Sequence, residues 1–332
     1  MEDKYLSGKK ILFLAPSFFN YELDIMNEME KMGAEVHFYD ERSIKKSIFK
    51  SLLRFCPSIF NVYSRCYFRK IIDKERIVKF DYIFVIKSEM IPESILASFK
   101  QIWPTAKICL YLYDSIQHIP NIESKIPYYD KVSTFDRKDV SMNPKLYFRP
   151  LFYSDTFKKK SSTNVDILYD LAFCGTIHTD RLAVLKDLEV IANSNSWKFY
   201  KFYYLQAEFV FYFYKLFRKE FYGVPKSEFS FVKKSAKELA YVQDRSKVII
   251  DIETPNQAGL TMRTIEMIGL QKKMITTNAE VLNYDFYNPN NICVIERCNP
   301  KIPKEFMITK YQPLSNEIYN KYSLKQWIKD VL

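Results

Sequence analysis

The residues best suited to chemistry lie in Gln257-Ala258-Gly259-Leu260-Thr261-Met262-Arg263-Thr264-Ile265-Glu266. A turn containing glycine leads straight into a helical pattern. Amide N–H groups at a helix start have no partner within the helix, and with the macrodipole they favour an anion. Arg263 and Glu266 stand three residues apart, so they share a helix face. A guanidinium can grip a diphosphate with two N–H groups. A carboxylate one turn on can accept hydrogen bonds from the two hydroxyls of a ribose. The same spacing also describes an internal Arg–Glu pair on a solvated face, and spacing alone leaves both readings open.

A second constellation runs from Gly175-Thr176 through His178 to Arg181. A small residue at a strand end lets a ligand approach the backbone. Thr176, His178 and Arg181 can then donate to a phosphate; the alternative is an ordinary strand-to-helix turn. Two such turns in one half of the chain, facing the same crevice, support a nucleotide site more than either does alone.

Other chemistries are excluded by what is scarce. Six glycines occur in 332 residues, none two or five apart. Neither G-x-G-x-x-G nor the P-loop pattern can therefore exist. The histidines are His37, His118 and His178, so H-E-x-x-H is absent. Six cysteines form no C-x-x-C, which removes a zinc ribbon or a thioredoxin-like site. Scattered beside strand-like runs, they read as reduced core thiols of a cytosolic protein. The N-terminus has no apolar h-region, and no apolar run reaches ~18–20 residues. The expectation is a cytoplasmic protein, at most peripheral at the cytoplasmic face of the inner membrane. The formal net charge of +11 suits an anionic partner or reflects a Lys-rich bias.

The elements that must position these residues alternate regularly. Ile11 to Ala15 is a short apolar strand, Asn20 can cap a helix over Tyr21 to Met32, and Gly33 stops it. Val36 to Tyr39 is the next strand, completing a βαβ unit. Residues 44–79 read as basic and helical. Strands follow at 82–86, 108–113, 131–135 and 147–151, with a helix over 92–101. A polar basic stretch, 156–163, is the linker candidate. The pattern then restarts: a strand from Asp170 to Thr176, a helix over 179–192, strands at 198–204 and 247–252, a helix over about 259–270 and a strand at 273–276. The fold class is α/β, two Rossmann-like doubly wound domains facing a central cleft. The domains expected are 1–155, 164–314, and a C-terminal helix within 315–332 that crosses back to the first.

These segments resemble GT-B glycosyltransferases of bacterial polysaccharide and lipopolysaccharide biosynthesis, related to the CgeB-like group. The likeness rests on ILFLAPSFFNYELDI, LYLYDSI, STFDRKDV, LAFCGTIHTDR, QAGLTMRTIEMIGLQKKMITTN, YDFYNPNNICVI and the YSLKQWIKDVL tail. It implies that Arg263 contacts a diphosphate, that Glu266 holds the ribose, and that Gly175 and Thr176 lie beside the phosphates. Arg181, Gln257, Gly259, Leu260 and Thr261 complete the expected donor site. Many retaining relatives carry a second glutamate eight residues before the ribose-binding one; here that position is Ala258, so retention or inversion stays open. No metal ligand set and no cofactor are expected, and a UDP-sugar is the default donor. An inverting reaction needs a general base. Asp114, at a strand end, is the first candidate, ahead of Glu22 and Asp136; its alternative is a cap or loop brace. A nucleotide-sugar epimerase or hydrolase, or a non-enzymatic membrane- or glycan-binding module, are the competing readings.

Residues 207–222 place Glu208, Lys215, Arg218 and Lys219 on one side of a helix and aromatic residues over most of the rest. That suits an inner-membrane surface, where a lipid-linked glycan acceptor would reside, or a helix packed on its own domain. With no basic tract or nucleic-acid module, no nucleic acid is expected as a partner.

Overall fold

The structure, a computed structural model, describes residues 4–17, 20–42, 57–160, 165–255 and 259–332. Its contacts divide the chain into two units, one of residues 1–150 with 324–332, the other of residues 151–323. Each is built on a six-stranded sheet whose strands all pair in parallel. Short apolar runs give this outcome because a parallel strand has both faces covered.

The first unit contains β1 (Lys10–Ala15), β2 (Glu35–Asp40), β3 (Tyr82–Ile86), β4 (Lys107–Leu112), β5 (Lys131–Thr134) and β6 (Tyr147–Phe148). Their spatial order is β2-β1-β3-β4-β5-β6. The chain leaves β1 to one side for β2, then crosses to the other side for β3. The order therefore reverses between β1 and β3, which is where open α/β sheets bind ligands. Helices α1 (Tyr21–Lys31), α2 (Pro57–Glu75), α3 (Glu93–Ile102), α4 (Ile122–Lys125) and α5 (Arg137–Met142) make the connections. Gly33 does end α1: its φ is +98°, and a Cβ there would lie 2.9 Å from Ser7 Cα. Asn20 is not the expected side-chain cap; it holds φ 65° and its amide makes no cap bond. Of the basic helical region, 43–56 lies outside the described residues.

The second unit contains β7 (Tyr169–Thr176), β8 (Phe199–Tyr204), β9 (Phe229–Ser230), β10 (Ser246–Asp251), β11 (Lys273–Thr276) and β12 (Ile292–Val294). The order β12-β11-β10-β7-β8-β9 reverses between β7 and β10. Its helices are α6 (Arg181–Ser194), α7 (Glu208–Phe217), α8 (Ala236–Asp244), α9 (Met262–Leu270), α10 (Lys304–Ile308) and α11 (Asn316–Lys321).

The chain divides earlier than the basic stretch. The break falls after Pro150, and residues 151–159 already pack on the second unit. Tyr153 and Phe157 are buried there, and the Lys159 N–H donates to Gly269 O at 2.8 Å. Apolar side chains, not polarity, decide where 156–159 sits. At the other end α11 stays with the second unit, and the last helix, α12 (Leu324–Val331), belongs to the first. Its Trp327 is fully buried, edge-on to Tyr111 with ring centroids 4.7 Å apart, and Arg149 Nε lies 2.8 Å from Asp330 Oδ2.

Gly269, in the last turn of α9, carries this packing. A Cβ there would stand 2.6 Å from Tyr153 Cγ and collide with the carbonyl oxygen of Phe157. Gly269→Ala should destabilise the protein by about 1–3 kcal/mol through overpacking, read as a lowered urea midpoint; an unchanged midpoint would show that 151–157 can move aside.

Candidate functional site

In the second unit the candidate residues meet at the carboxyl ends of β7 and β10, beside the point where strand order reverses. Ala172 pairs with Ile249 across β7 and β10, so two residues on, Cys174 and Asp251 lie level. Asp251 is wholly buried. Its Oδ2 accepts from Thr261 Oγ1 and Thr264 Oγ1, each at 2.7 Å, and its Oδ1 from Arg263 Nη1 at 3.2 Å. The other end of the guanidinium, Nη2, donates to the carbonyl oxygen of Cys174. Thr261 is also the N-cap of α9, accepting from the Thr264 N–H at 3.3 Å. One carboxylate thus ties a helix start to two strand ends.

Gly175 makes this possible. A Cβ at that position would lie 2.8 Å from Arg263 Nη2 and 3.1 Å from Phe173 Cζ. The absent side chain is space for a guanidinium as well as for a ligand.

Further cations surround this point. Arg181, at the start of α6, is buried; Nη1 donates to Thr176 O at 2.9 Å, and Nε has no hydrogen-bond partner among the described residues. Burial, with the neighbouring charges of Arg263 and Arg297, pulls its pKa down to about 10. Arg297 is bound by Asp180 at 2.8 and 2.9 Å and by Glu253 Oε1 at 2.7 Å. Arg218 donates to Thr179 O at 2.7 Å. His178 is pushed down to about 4 by burial, then by Arg181 and Arg218. The group holds four arginines: Arg263 pairs with Asp251, Arg297 with Asp180 and Glu253, and Arg218 stands 3.9 Å from Glu220 Oε1, whereas among the described residues no ion pair reaches Arg181. Among the described residues, no group of three or more His, Cys, Asp or Glu is placed to hold a metal ion.

The first unit has its own site at the reversal between β1 and β3. A cavity of about 280 Å3 is lined by Pro16, Tyr21, Glu22, Arg42, Lys87 and Asp114, with Ala15, Ile25, Ile86 and Tyr113. Lys87 Nζ stands 2.9 Å from Asp114 Oδ2 and 3.1 Å from Glu89 Oε2. Burial opposes the lysine charge, yet Asp114 and Glu89 hold its pKa above the ordinary value. Lys87 and Ser88 have φ of 77° and 56°, two successive left-handed residues without glycine. Such strain costs ~1–3 kcal/mol per residue and collects at functional sites. It is held from beneath: Lys125 Nζ donates to Ser88 O at 2.8 Å, Tyr129 Oη to Ser88 Oγ at 2.6 Å, and Met90 N–H to Glu41 Oε1 at 2.5 Å. Burial pushes the Glu41 carboxyl up to about 7.

No protein-family model matches the sequence, and no curated protein matches it. Solved structures do match along nearly the whole chain. Anabaena HepE in complex with UDP and glucose has a TM-score of 0.62 at 10% identity, covering 97% of this chain and 98% of that one. UDP-GlcNAc 2-epimerase from Methanocaldococcus jannaschii has a TM-score of 0.52 at 10% identity, covering 97% and 99%. An alpha-glucosyltransferase in complex with UDP and a 13-mer DNA has 0.50 at 12%, covering 97% and 90%. The fold is GT-B.

The GT-B units bring together most of the residues singled out in the sequence. Gly175, Thr176, Arg181, Thr261 and Arg263 meet at the β7–β10 reversal. Leu260 is buried, and Gly259 O accepts from Asn278 Nδ2 at 3.4 Å. Gln257 and Ala258 lie outside the described residues. Helix α9 starts at Met262, three residues later than its turn suggested, because Thr261 caps it. Arg263 ion-pairs with Asp251, and Glu266 is buried. In the first unit Asp114 and Glu22 line one cavity, but Asp136 does not join them. Its carboxylate is spent on the Lys138 N–H at 2.9 Å and on Ser115 Oγ, so it is a buried cap of α5. Sequence reasoning missed Asp251, although a lone acid closing an apolar strand was a signal. It missed Arg297, which no local pattern marks, and it set Arg218 on the charged side of 207–222, whereas the guanidinium donates to Thr179 O.

His178 ties this charge to pH. Its folded pKa of about 4 lies below its ordinary 6.5, so between those values the unfolded chain binds the extra proton and stability falls as pH drops. His178→Asn should lose less stability than the wild type between pH 6.5 and pH 4.5, measured by urea unfolding at both. Equal losses would show that His178 titrates freely in the folded chain.

Proposed function

We propose that the chain is a glycosyltransferase that moves a sugar from a nucleotide diphosphate donor to a glycan acceptor. The buried guanidinium of Arg181, which no ion pair reaches among the described residues, carries this reading; it lies beside the charge of Arg263 at the β7–β10 reversal. Neighbouring cations repel one another, and one without a carboxylate gains from a polyanion. A diphosphate supplies one of the right charge and geometry, since guanidinium groups bind it in paired hydrogen bonds. UDP is the nucleotide proposed, because solved structures of like fold hold it. Arg181, with an unspent Nε–H, and Arg263, held in place by Asp251, are assigned to the diphosphate, and Glu266 to the ribose.

The acceptor is assigned to the first unit's cavity. Its aromatic and charged lining suits a sugar, whose ring has an apolar face and a polar rim. In a direct displacement the acceptor oxygen bonds to the anomeric carbon as the carbon–diphosphate bond breaks. Asp114 takes the hydroxyl proton, and the charge that develops on the diphosphate falls to the arginines. Lys87 Nζ, 2.9 Å from Asp114 Oδ2, positions the carboxylate for that role. The acceptor proposed is a bacterial surface polysaccharide or lipopolysaccharide intermediate, carried on a lipid; the affiliation with the CgeB-like group is part of the same proposal.

The test incubates the purified protein with a panel of nucleotide sugars, with and without a lipid-linked acceptor. Nucleoside diphosphate release that requires acceptor supports transfer. Release or isomerisation without acceptor would replace it with a hydrolase or epimerase. No turnover with any donor would leave a binding module.

Two variants separate the roles. Arg181→Ala should weaken UDP binding by about 10- to 150-fold, the worth of one charge-assisted contact, in a titration calorimeter. Asp114→Asn should slow turnover by ~10²–10⁴-fold and spare UDP affinity. Unchanged affinity in the first, or near-wild-type turnover in the second, would remove that residue from its role.

A further inference from the structure

Helix α7 is divided lengthwise into an anchored face and an open one. Phe211 is buried, 5.3 Å from the ring of Phe229, and the Tyr214 ring lies 5.1 Å from that of the buried Phe221. The Arg218 guanidinium stands 4.0 Å over Tyr214. These contacts fix the rotation of the helix. The opposite face carries Phe209, Tyr212, Phe213, Leu216 and Phe217, each between 57% and 72% exposed. Their spacing of three and four residues makes one continuous strip. Aromatic side chains offer roughly 150–250 Å2 each, so the strip exceeds the few hundred Å2 that a soluble monomer ordinarily leaves open.

Exposed lysines stand beside the strip. Lys215 and Lys219 are exposed. Lys226 Nζ lies 5.8 Å from the centre of the Tyr212 ring and pairs with Glu208 Oε2 at 2.7 Å. Apolar burial alone would suit a protein partner or a second copy of this chain, but neither accounts for the cations beside it. An anionic bilayer surface takes both. Aromatic and leucine side chains enter the boundary between headgroups and acyl chains, while lysines reach the headgroup phosphates. Among the described residues no helix is long and apolar enough to cross a membrane, so the contact would be interfacial.

We infer that the open face of α7 is a docking surface for an anionic lipid bilayer. This stands apart from the sugar-transfer reading, since it uses none of the residues assigned to donor or acceptor. The test is sedimentation of the full chain with vesicles of phosphatidylglycerol and phosphatidylcholine, and with phosphatidylcholine alone, with no nucleotide present. The wild type should partition onto the anionic vesicles and far less onto the neutral ones, and added salt should weaken the binding. Phe209→Ser/Phe213→Ser/Phe217→Ser should reduce partitioning by more than about tenfold; its urea midpoint should match the wild type, because these side chains are exposed. Lys215→Glu/Lys219→Glu should reduce binding to the anionic vesicles only. Absence of vesicle binding, binding that survives the triple variant, or a wild-type dimer that this variant dissolves would overturn the inference. The last outcome would assign the face to a second copy.

Discussion

Asp251 is the constraint on which the candidate donor site depends. A carboxylate with no solvent contact is tolerable only when its oxygens are fully engaged by donors and a counter-charge. Two threonine hydroxyls and one guanidinium meet that demand. In doing so they fix the start of α9 against the ends of β7 and β10, and they orient Arg263 over Gly175. If the carboxylate were removed, the guanidinium would keep the Cys174 carbonyl and the face of the Phe173 ring, but no counter-charge from Asp251. The arrangement is costly to hold and hard to shift, which are properties of a preorganised binding site.

The surrounding charge follows from the same geometry. The carboxyl ends of β7 and β10 lie next to the first turn of α6 and the segment after β12, so Arg181 and Arg297 are drawn to the point where Arg263 already sits. Asp180 and Glu253 engage Arg297, whereas Arg181 faces a backbone carbonyl. Burial first, and neighbouring arginines after it, depress the pKa values of both Arg181 and His178.

The first unit applies the same topology to different chemistry. Its order reversal opens a cavity where an ion pair and a buried glutamate gather, with Lys87 and Ser88 held in a left-handed conformation. Glu41, Lys125 and Tyr129 brace that turn from the interior and so aim Lys87 at Asp114. Strain here and charge crowding in the second unit are separate devices, each placed where its sheet reverses order.

Much of this was legible before the chain was folded. The alternation of apolar runs with helical periodicity required parallel strands and connecting helices, because runs so short and so apolar can be buried only with both faces covered. The restart near residue 170 implied a second sheet, and the glycine beside Thr176 and the one before Leu260 marked the two turns of the candidate donor site. Tertiary structure decided which charges meet. Asp114 and Asp136 each follow a strand, yet one faces a cavity opposite Lys87 and the other caps the helix that starts beside it. Arg263 has Glu266 one turn away, but its ion pair is with Asp251, on the neighbouring strand. Local sequence encodes period and turn, whereas the partner of a charge depends on which strands become neighbours, and that is settled only when the sheet is assembled.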